Sequence, residues 1–328
     1  MPRLGRRHWM TIAACTVSVL AAPAVSQAAT YSVTAGNGPC GGEDLICGSI
    51  GEAANAAAQG DVFNISPGTY DAAEFTVGGV TLNGAPGVAI NGTMTFSSNS
   101  GPASTLSKVA LSQPTGNAPG INVNGAAGLK VLDSAVISLN GDGIIFTGGI
   151  GNQIIRTLVV TAGAETSAVR IVSNGNTPNT GSLAKGQLLE SSQLQGGAVA
   201  INARTECLAT DPPAGDITIV GHHVTTGSAT GILIDASNAA RLLSTGVGNI
   251  AATFTDSIVL DNPAPKRYAV VGGVNTATLT TTRTLVTADK AKLFANPLKG
   301  NFRLRPDATT AIDVGGFTPG ESVTDIDG

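Results

Sequence analysis

The sequence predicts an all-β fold in which short parallel strands wind into a solenoid, with a short capping helix near the N-terminus. Three apolar residues, Leu106, Val131 and Ile154, lie 25 and 23 residues apart within similar short alternating segments. A period of this size, with Gly and Asn in the turns, suits one coil of a parallel β-helix. Only 4% of the residues are aromatic and 43 are glycine, so the core is expected to consist of stacked small aliphatic side chains.

The same pattern continues along the chain with wider spacings. The expected anchors of successive coils are Leu106, Val131, Ile154, Leu189, Ile219, Phe254 and Leu279. Insertions at 174–185, 204–215 and 237–249 account for the wider spacings. A leucine-rich repeat has a similar period, but it needs a dense leucine frame that this sequence lacks.

One segment has the pattern of a helix. "SIGEAANAAAQG" (49–60) begins with Ser49 and places Glu52 three residues later, which is a capping box. The first coil of a β-helix is an open sheet edge, and a helix at this point of the chain would cover it.

The first 28 residues have the pattern of a secretion signal. Arg3, Arg6 and Arg7 precede the apolar run "MTIAACTVSVLAA", and small residues lead to a cleavage point before Ala29. The apolar run is too short for a bilayer span. We therefore expect a secreted protein, extracellular or at the cell surface, with no membrane span in the mature chain.

Charge and cysteine content narrow the class further. The predicted signal peptide contains three of the 18 basic residues, so the mature chain keeps 15 basic residues against 22 acidic ones. Nucleic-acid binding needs a basic surface, so we expect no nucleic-acid partner. In an exported protein, Cys40 and Cys47 are a disulfide candidate, and Cys207 is left over.

Two stretches resemble known proteins. "SIGEAANAAAQGDVFNISPGTY" (49–70) resembles the entry of right-handed parallel β-helix proteins of the pectate-lyase-like superfamily. "LFANPLKGNFRLRPDATTAIDVGG" (293–316) is similar to the C-terminal pattern of bacterial β-helix proteins with a choice-of-anchor Q domain. Together with the residue patterns above, the resemblance predicts a signal peptide (1–28), an N-terminal strand and helical cap (29–61), β-helix coils (62–292) and a shortened closing coil (293–328).

Family members that cleave acidic polysaccharides use paired carboxylates, or Ca²⁺ with an arginine base. Asp142 lies in "NGD", and His222 in "GHH", but hydrolysis needs two carboxylates at a fixed separation. Asn-Gly-Asp is also a common turn sequence, so we interpret Asp142 as a turn residue before a catalytic one. Neighbours on a strand face opposite ways, so His222 and His223 are expected to be poorly placed to share a ligand.

Lys108, Asp133 and Arg156 occupy one column of the repeat. A lyase would use Asp133 as a calcium ligand and Arg156 as the base. The alternative is an external ladder of alternating charges, which the presence of a single carboxylate favours, because a Ca²⁺ site collects several oxygen ligands. A neighbouring column, Ser134, Thr157, Ser192, Ser257 and Thr282, is interpreted as a hydroxyl ladder at a bend.

Near the C-terminus, Asp313, Asp325 and Asp327 are candidates for a Ca²⁺ site, with a capping turn as the alternative. No catalytic set is complete, and no other cofactor is indicated. We therefore expect a non-catalytic extracellular module that binds a polysaccharide or another surface component through its inserted loops. The alternative is a diverged polysaccharide lyase or glycoside hydrolase that acts on acidic polysaccharide.

Overall fold

The computed structural model describes residues 28–36, 38–40, 45–97, 101–125, 128–174, 184–206, 215–227, 230–235, 248–260, 266–268, 276–287, 293–296 and 301–308. These residues form a parallel β-helix, as the sequence predicts. Within them, no helix is long and apolar enough to cross a membrane. All but the last residue of the predicted signal peptide and most of each predicted insertion lie outside these ranges.

The one described helix is α1 (Ile50–Ala56). The strands, in chain order, are β1 (Thr30–Val33), β2 (Ile46–Cys47), β3 (Val62–Ile65), β4 (Gly68–Asp71), β5 (Glu74–Phe75), β6 (Thr81–Gly84), β7 (Val88–Asn91), β8 (Met94–Phe96), β9 (Ser104–Ser107), β10 (Ala110–Gln113), β11 (Ile121–Asn124), β12 (Leu129–Leu132), β13 (Ala135–Ser138), β14 (Ile144–Thr147), β15 (Gln153–Ile155), β16 (Leu158–Thr161), β17 (Ser167–Asn174), β18 (Ala184–Glu190), β19 (Gln193–Gln195), β20 (Val199–Glu206), β21 (Ile217–His222), β22 (Thr225–Thr226), β23 (Thr230–Asp235), β24 (Ile250–Thr255), β25 (Ile258–Leu260), β26 (Lys266–Tyr268), β27 (Ala277–Thr282), β28 (Leu285–Thr287), β29 (Phe294–Asn296) and β30 (Asn301–Leu304).

Each coil contributes one strand to each of three parallel sheets. The first sheet runs in the order β2-β1-β3-β6-β9-β12-β15-β18-β21-β24-β27. The second runs β4-β7-β10-β13-β16-β19-β22-β25-β28, and the third runs β5-β8-β11-β14-β17-β20-β23-β26. Every third strand is therefore a neighbour, and equivalent residues of successive coils stack at roughly the 4.8 Å spacing of paired strands.

The core changes character along the solenoid axis. At the N-terminal end it is aromatic: the ring of Tyr31 stacks on Phe63 with centroids 4.9 Å apart, and Phe75 stacks on Phe96 at 5.7 Å. Further along, the inward positions are mostly stacked aliphatic side chains, such as Val131 and Ile154, which are both fully buried. This is the small-residue core that the composition predicts.

The N-terminal end is fastened by several short-range contacts. The Ser49 hydroxyl accepts a hydrogen bond from the Glu52 amide at 3.1 Å, and the Glu52 carboxylate accepts one from the Gly48 amide at 2.8 Å. The buried carboxylate of Asp61 accepts hydrogen bonds from the amides of Ala29 and Ala58, both at 2.8 Å. Together these bonds join the first strand, α1 and the first coil.

The predicted register is correct for the first coils and shifts by two residues in two later ones. Leu106, Val131, Ile154 and Leu189 are aligned as expected. The next partner of Leu189 is Gly221 and not Ile219, and the partner of Phe254 is Thr281 and not Leu279. A shift of two keeps the inward face inward, so hydrophobic alternation alone does not detect it.

The true anchor of this coil is Gly221, and the sequence did not reveal it because glycine carries no apolar side chain. A Cβ atom there would collide with the ring of Phe254 in the next coil. The large ring of one coil therefore fills the space that a side chain would occupy in the coil before it. The core stays filled, but the position no longer carries an apolar residue.

At the other end, β29 and β30 pair antiparallel. Leu293 and Ala308, which flank this hairpin, are buried against Ile258 and Leu285. Ile258 precedes the inward-facing Val259 and pairs with Leu285 of the next coil, so both Ile258 and Leu285 face outward. Leu293 and Ala308 therefore lie on the outer face of the second sheet. The described residues of this region, 293–296 and 301–308, thus form an antiparallel strand pair and not a further parallel coil. The boundaries assigned to the closing region stay a prediction.

Candidate functional site

The turn between the first and second sheets repeats along the solenoid with one residue in the left-handed backbone region. We call these residues the left-handed turn column: Lys108, Asp133, Arg156, Ser191, His223, Asp256 and Arg283, with φ between 44° and 56°. Glycine is the usual residue in this conformation, because other side chains cost about 1–2 kcal/mol there. Charged residues at most of these positions therefore need a compensating interaction.

The first interaction of this kind joins Asp133 and Arg156. The guanidinium donates from Nε to Oδ1 at 2.6 Å and from Nη2 to Oδ2 at 2.9 Å. The hydrogen bond to Arg156 holds the pKa of Asp133 below its usual range, and the same bond raises the pKa of Arg156. A lyase base must be able to give up its proton, so this pairing favours the charge ladder.

A second pair repeats the arrangement four coils later. Arg283 donates to Asp256 at 2.6 and 2.7 Å. The Asp256 side chain is only 7% exposed, whereas that of Asp133 is 35% exposed. The pKa of Asp256 is lowered mainly by the Arg283 hydrogen bond, with smaller contributions from His223 and His222.

Both histidines lie near Asp256, where they contribute to lowering the pKa of its carboxyl group. His222 ends β21 and its Nδ1 lies 2.9 Å from the Thr255 hydroxyl. His223 is in the turn, where φ is 52°, so the alternation of a regular strand does not apply to it. The argument from strand alternation therefore does not apply to this pair, and the expectation that they do not share a ligand stays a prediction.

The neighbouring hydroxyl ladder is present, with one correction. Ser192 is buried; its hydroxyl donates to the Glu190 carbonyl at 2.7 Å and accepts from the Thr157 amide at 3.2 Å. Ser257 makes the equivalent bonds to Thr255 and Val224. In the last described coil the equivalent residue is Thr284, which donates to Thr282, so the assignment of Thr282 to this ladder was wrong. These hydroxyls are used to close turns.

Asp142 lies in a different turn, between the second and third sheets. Its Oδ1 accepts from the Ser167 amide at 2.6 Å, and its Oδ2 lies 3.4 Å from Nη1 of Arg170. Its side chain remains 12% exposed. Asp142 therefore anchors the following coil, as a turn residue does, while one edge of its carboxylate still reaches solvent.

The structure does not bring the catalytic candidates together. Asp133 precedes β13 and Asp142 follows it, and four strand residues at ~3.3 Å each separate the two turns by roughly 13 Å. Two carboxylates that act on one glycosidic bond lie within about 10 Å of each other. Asp133 and Asp142 thus belong to separate surfaces.

An open cleft of about 490 Å³ surrounds Asp142. Its polar lining comes from the turns of three successive coils: Asn117, Asn140, Asp142, Glu165 and Thr166. Asn117, Asn140 and Glu165 are exposed. Amides and carboxylates offer both donors and acceptors, the groups that recognise hydroxyl-bearing ligands.

The floor of this cleft is rigid. A Cβ atom on Gly141 would collide with the Ala118 carbonyl of the preceding turn. The Thr166 hydroxyl donates to the Gly163 carbonyl and lies 2.7 Å from the Thr161 hydroxyl. The turns therefore pack directly on one another, and the cleft keeps its shape without a ligand.

The cleft was not predicted from the sequence. Its polar residues come from three segments that are about one coil apart, and the turn signal in "NGD" dominated the interpretation of Asp142. A signal existed: Asn, Asp and Glu recur at the same turn in three consecutive coils.

A second groove, of about 470 Å³, lies between α1 and β5. Ala54, Ala57, Ala73 and Val77 contribute to its lining, so it offers fewer hydrogen-bonding side chains than the cleft around Asp142.

A disulfide joins Cys40 to Cys47, as the sequence predicts. Among the described residues, no three His, Cys, Asp or Glu side chains gather into a metal site. The calcium candidates Asp313, Asp325 and Asp327 lie outside those residues.

Comparison with known proteins supports the fold. The sequence matches no protein-family model and no curated protein sequence. A rhamnogalacturonan lyase structure is similar with a TM-score of 0.52 and 10% identity, over 78% of this chain and 73% of that chain. The crystal structure of pectate lyase Pel9A gives a TM-score of 0.47 and 13% identity, over 92% and 95%. At 10% identity, the first likeness shows a shared fold and nothing about which residues act.

Proposed function

We propose that this chain is a secreted parallel β-helix protein that binds an extracellular polysaccharide without cleaving it. The observation that carries the proposal is the pairing of Asp133 with Arg156 by two short hydrogen bonds. Asp133 and Arg156, the candidates for the calcium ligand and the base of a lyase, are instead bonded to each other and stabilise a turn. Among the described residues, the cleft around Asp142 remains open to a ligand and offers the larger set of hydrogen-bonding side chains.

The chemistry of the cleft agrees with binding better than with catalysis. A glycosidase needs one carboxyl group that stays protonated, which usually requires an apolar pocket. Glu165 is exposed, and the Asp142 carboxylate is engaged by the Ser167 amide and Arg170. Neither has the surroundings of a general acid. The two amides beside them, Asn117 and Asn140, suit sugar hydroxyls.

The location of the protein is part of the same proposal. The basic start and apolar run of residues 1–28 support export. The likeness of 293–316 to choice-of-anchor Q proteins supports attachment at a cell surface. An extracellular polysaccharide is the partner that fits this location, and the fold is shared with a lyase of rhamnogalacturonan.

Two assays on the purified protein test the proposal together. Affinity electrophoresis in gels that contain pectate, alginate or an uncharged or amino-bearing glycan measures binding. Release of unsaturated products and of reducing ends, with and without Ca²⁺, measures cleavage. We expect slower migration in at least one gel and no product from any polymer. Product formation would support the alternative, a diverged lyase or hydrolase, and unchanged migration in every gel would refute the binding role.

A further inference from the structure

The charge of the cleft bears on the class of polysaccharide that it accepts. Among the described residues that line it, the ionisable ones are Asp142 and Glu165, and none is lysine or arginine. Arg170, whose side chain is 27% exposed, lies 3.4 Å from Asp142 and balances that carboxylate. The exposed carboxylate of Glu165 is left as the net charge that faces a ligand.

This arrangement disfavours an acidic polymer. A uronic-acid chain would place its carboxylates against Glu165 and the open edge of Asp142, and like charges held close together repel. The whole protein adds to this effect, because its net charge is −4, and a protein of this sign slows the approach of a polyanion.

The same groups favour a cationic polymer. A protonated amine donates hydrogen bonds to a carboxylate, and such charge-assisted bonds are about twice as strong as neutral ones. Asn117 and Asn140 remain available for the hydroxyl groups of the same chain. The packed turns of the floor, Gly141 on Ala118, hold these groups in place before a ligand binds.

We infer that the cleft around Asp142 and Glu165 binds a polysaccharide that carries free amino groups, a de-N-acetylated amino-sugar polymer. The inference rests on the proposed function and names the class of its ligand. Glu165 binds the ammonium group, and Asn117 and Asn140 bind neighbouring hydroxyls. The Asp142 carboxylate contributes through its exposed edge while it continues to hold the Ser167 amide.

Three hexasaccharides test the inference by calorimetric titration: hexameric glucosamine, its fully N-acetylated form and hexameric galacturonic acid. The titrations use a pH at which the amines are protonated and carboxylates are ionised. We expect the glucosamine hexamer to bind up to about fivefold more tightly than the acetylated one, since an exposed charge pair contributes up to ~1 kcal/mol. The galacturonate hexamer is expected not to bind.

Matched variants separate the cleft from the charge of the whole protein. Glu165→Gln is expected to weaken glucosamine binding about fivefold, whereas Asp71→Asn, which removes one exposed carboxylate on the second sheet, leaves it unchanged. Equal losses in the two variants, or equal binding of the acetylated or galacturonate hexamer, would overturn the inference and leave the proposed binding role intact. If no hexamer binds and no polymer retards the protein, both are refuted.

Discussion

The two kinds of turn that border the second sheet use charge in opposite ways. In the left-handed turn column, Asp133 pairs with Arg156, and Asp256 with Arg283, across adjacent coils. In the cleft, Glu165 is exposed to solvent, and no basic residue is among its described lining. One row of charges stabilises the stacking of coils, and the other is available to a ligand.

This difference shows that a charged residue at a repeated position is insufficient evidence for a catalytic site. In a parallel β-helix every turn stacks on its equivalent ~4.8 Å away, so side chains of opposite sign in one column meet directly. Only where the turns lengthen and leave an opening, as around Asp142, can a ligand compete with the next coil. The comparison predicts that changes in the column alter stability and changes in the cleft alter binding.

In the hydroxyl ladder beside the left-handed turn column, a large loss of stability is expected for Ser192→Ala. The variant leaves the Thr157 amide without the acceptor that Ser192 supplies, in a buried position. An unsatisfied buried donor costs about 1–3 kcal/mol, and urea unfolding would measure the loss. Ser192→Thr is the matched control, because threonine already occupies the hydroxyl ladder at position 157. Equal loss in the alanine and threonine variants would mean that packing and not the hydroxyl is responsible.

The two ion pairs should differ in strength according to burial. Asp256→Ala removes a nearly buried carboxylate from Arg283 and should cost about 1.5–3 kcal/mol, as for hydrogen bonds to charged groups. Asp133→Ala removes a more exposed one and should cost about 0.2–1 kcal/mol. The midpoint of unfolding in urea compares them. A larger cost at Asp133 than at Asp256 would contradict the assignment.

Acid should remove the contribution of the Asp133–Arg156 pair to stability. The pKa of Asp133 is lowered by Arg156, so its contribution is present above the unfolded-state value of about 3.9 and is lost as the pH falls through the lower folded-state value. The difference in stability between the protein and Asp133→Asn should therefore stay constant at neutral pH and shrink in strong acid. A difference that first appears on acidification would have the wrong sign for this pair.

The smallest effect on stability is expected in the cleft. Glu165 is exposed, so Glu165→Gln should change the free energy of unfolding by no more than ~0.5 kcal/mol. Its thermal midpoint, measured beside its affinity for the glucosamine hexamer, would show whether binding is lost without unfolding. A clear drop in the midpoint would place Glu165 among the structural residues.

Much of the fold follows from local pattern, and less of the site does. The period of 23 to 25 residues, the Ser49–Glu52 cap and the charge ladder are all signals within one coil or between adjacent coils, and the structure contains each of them. The register at Gly221 depends on the ring of Phe254 in the next coil, which alternation cannot reveal. The position of the β29–β30 strand pair depends on contacts with Ile258 and Leu285, which belong to two different coils.

The central claim is that the cleft binds polysaccharide while the left-handed turn column is structural. The most direct test measures retardation of two double variants in a gel that contains de-N-acetylated amino-sugar polymer. Asp142→Asn with Glu165→Gln should migrate as in a plain gel, while Asp133→Asn with Arg156→Gln should be retarded like the unaltered protein. Retention that survives the cleft changes but is lost with the column changes would contradict the account and return Asp133 and Arg156 to the functional site.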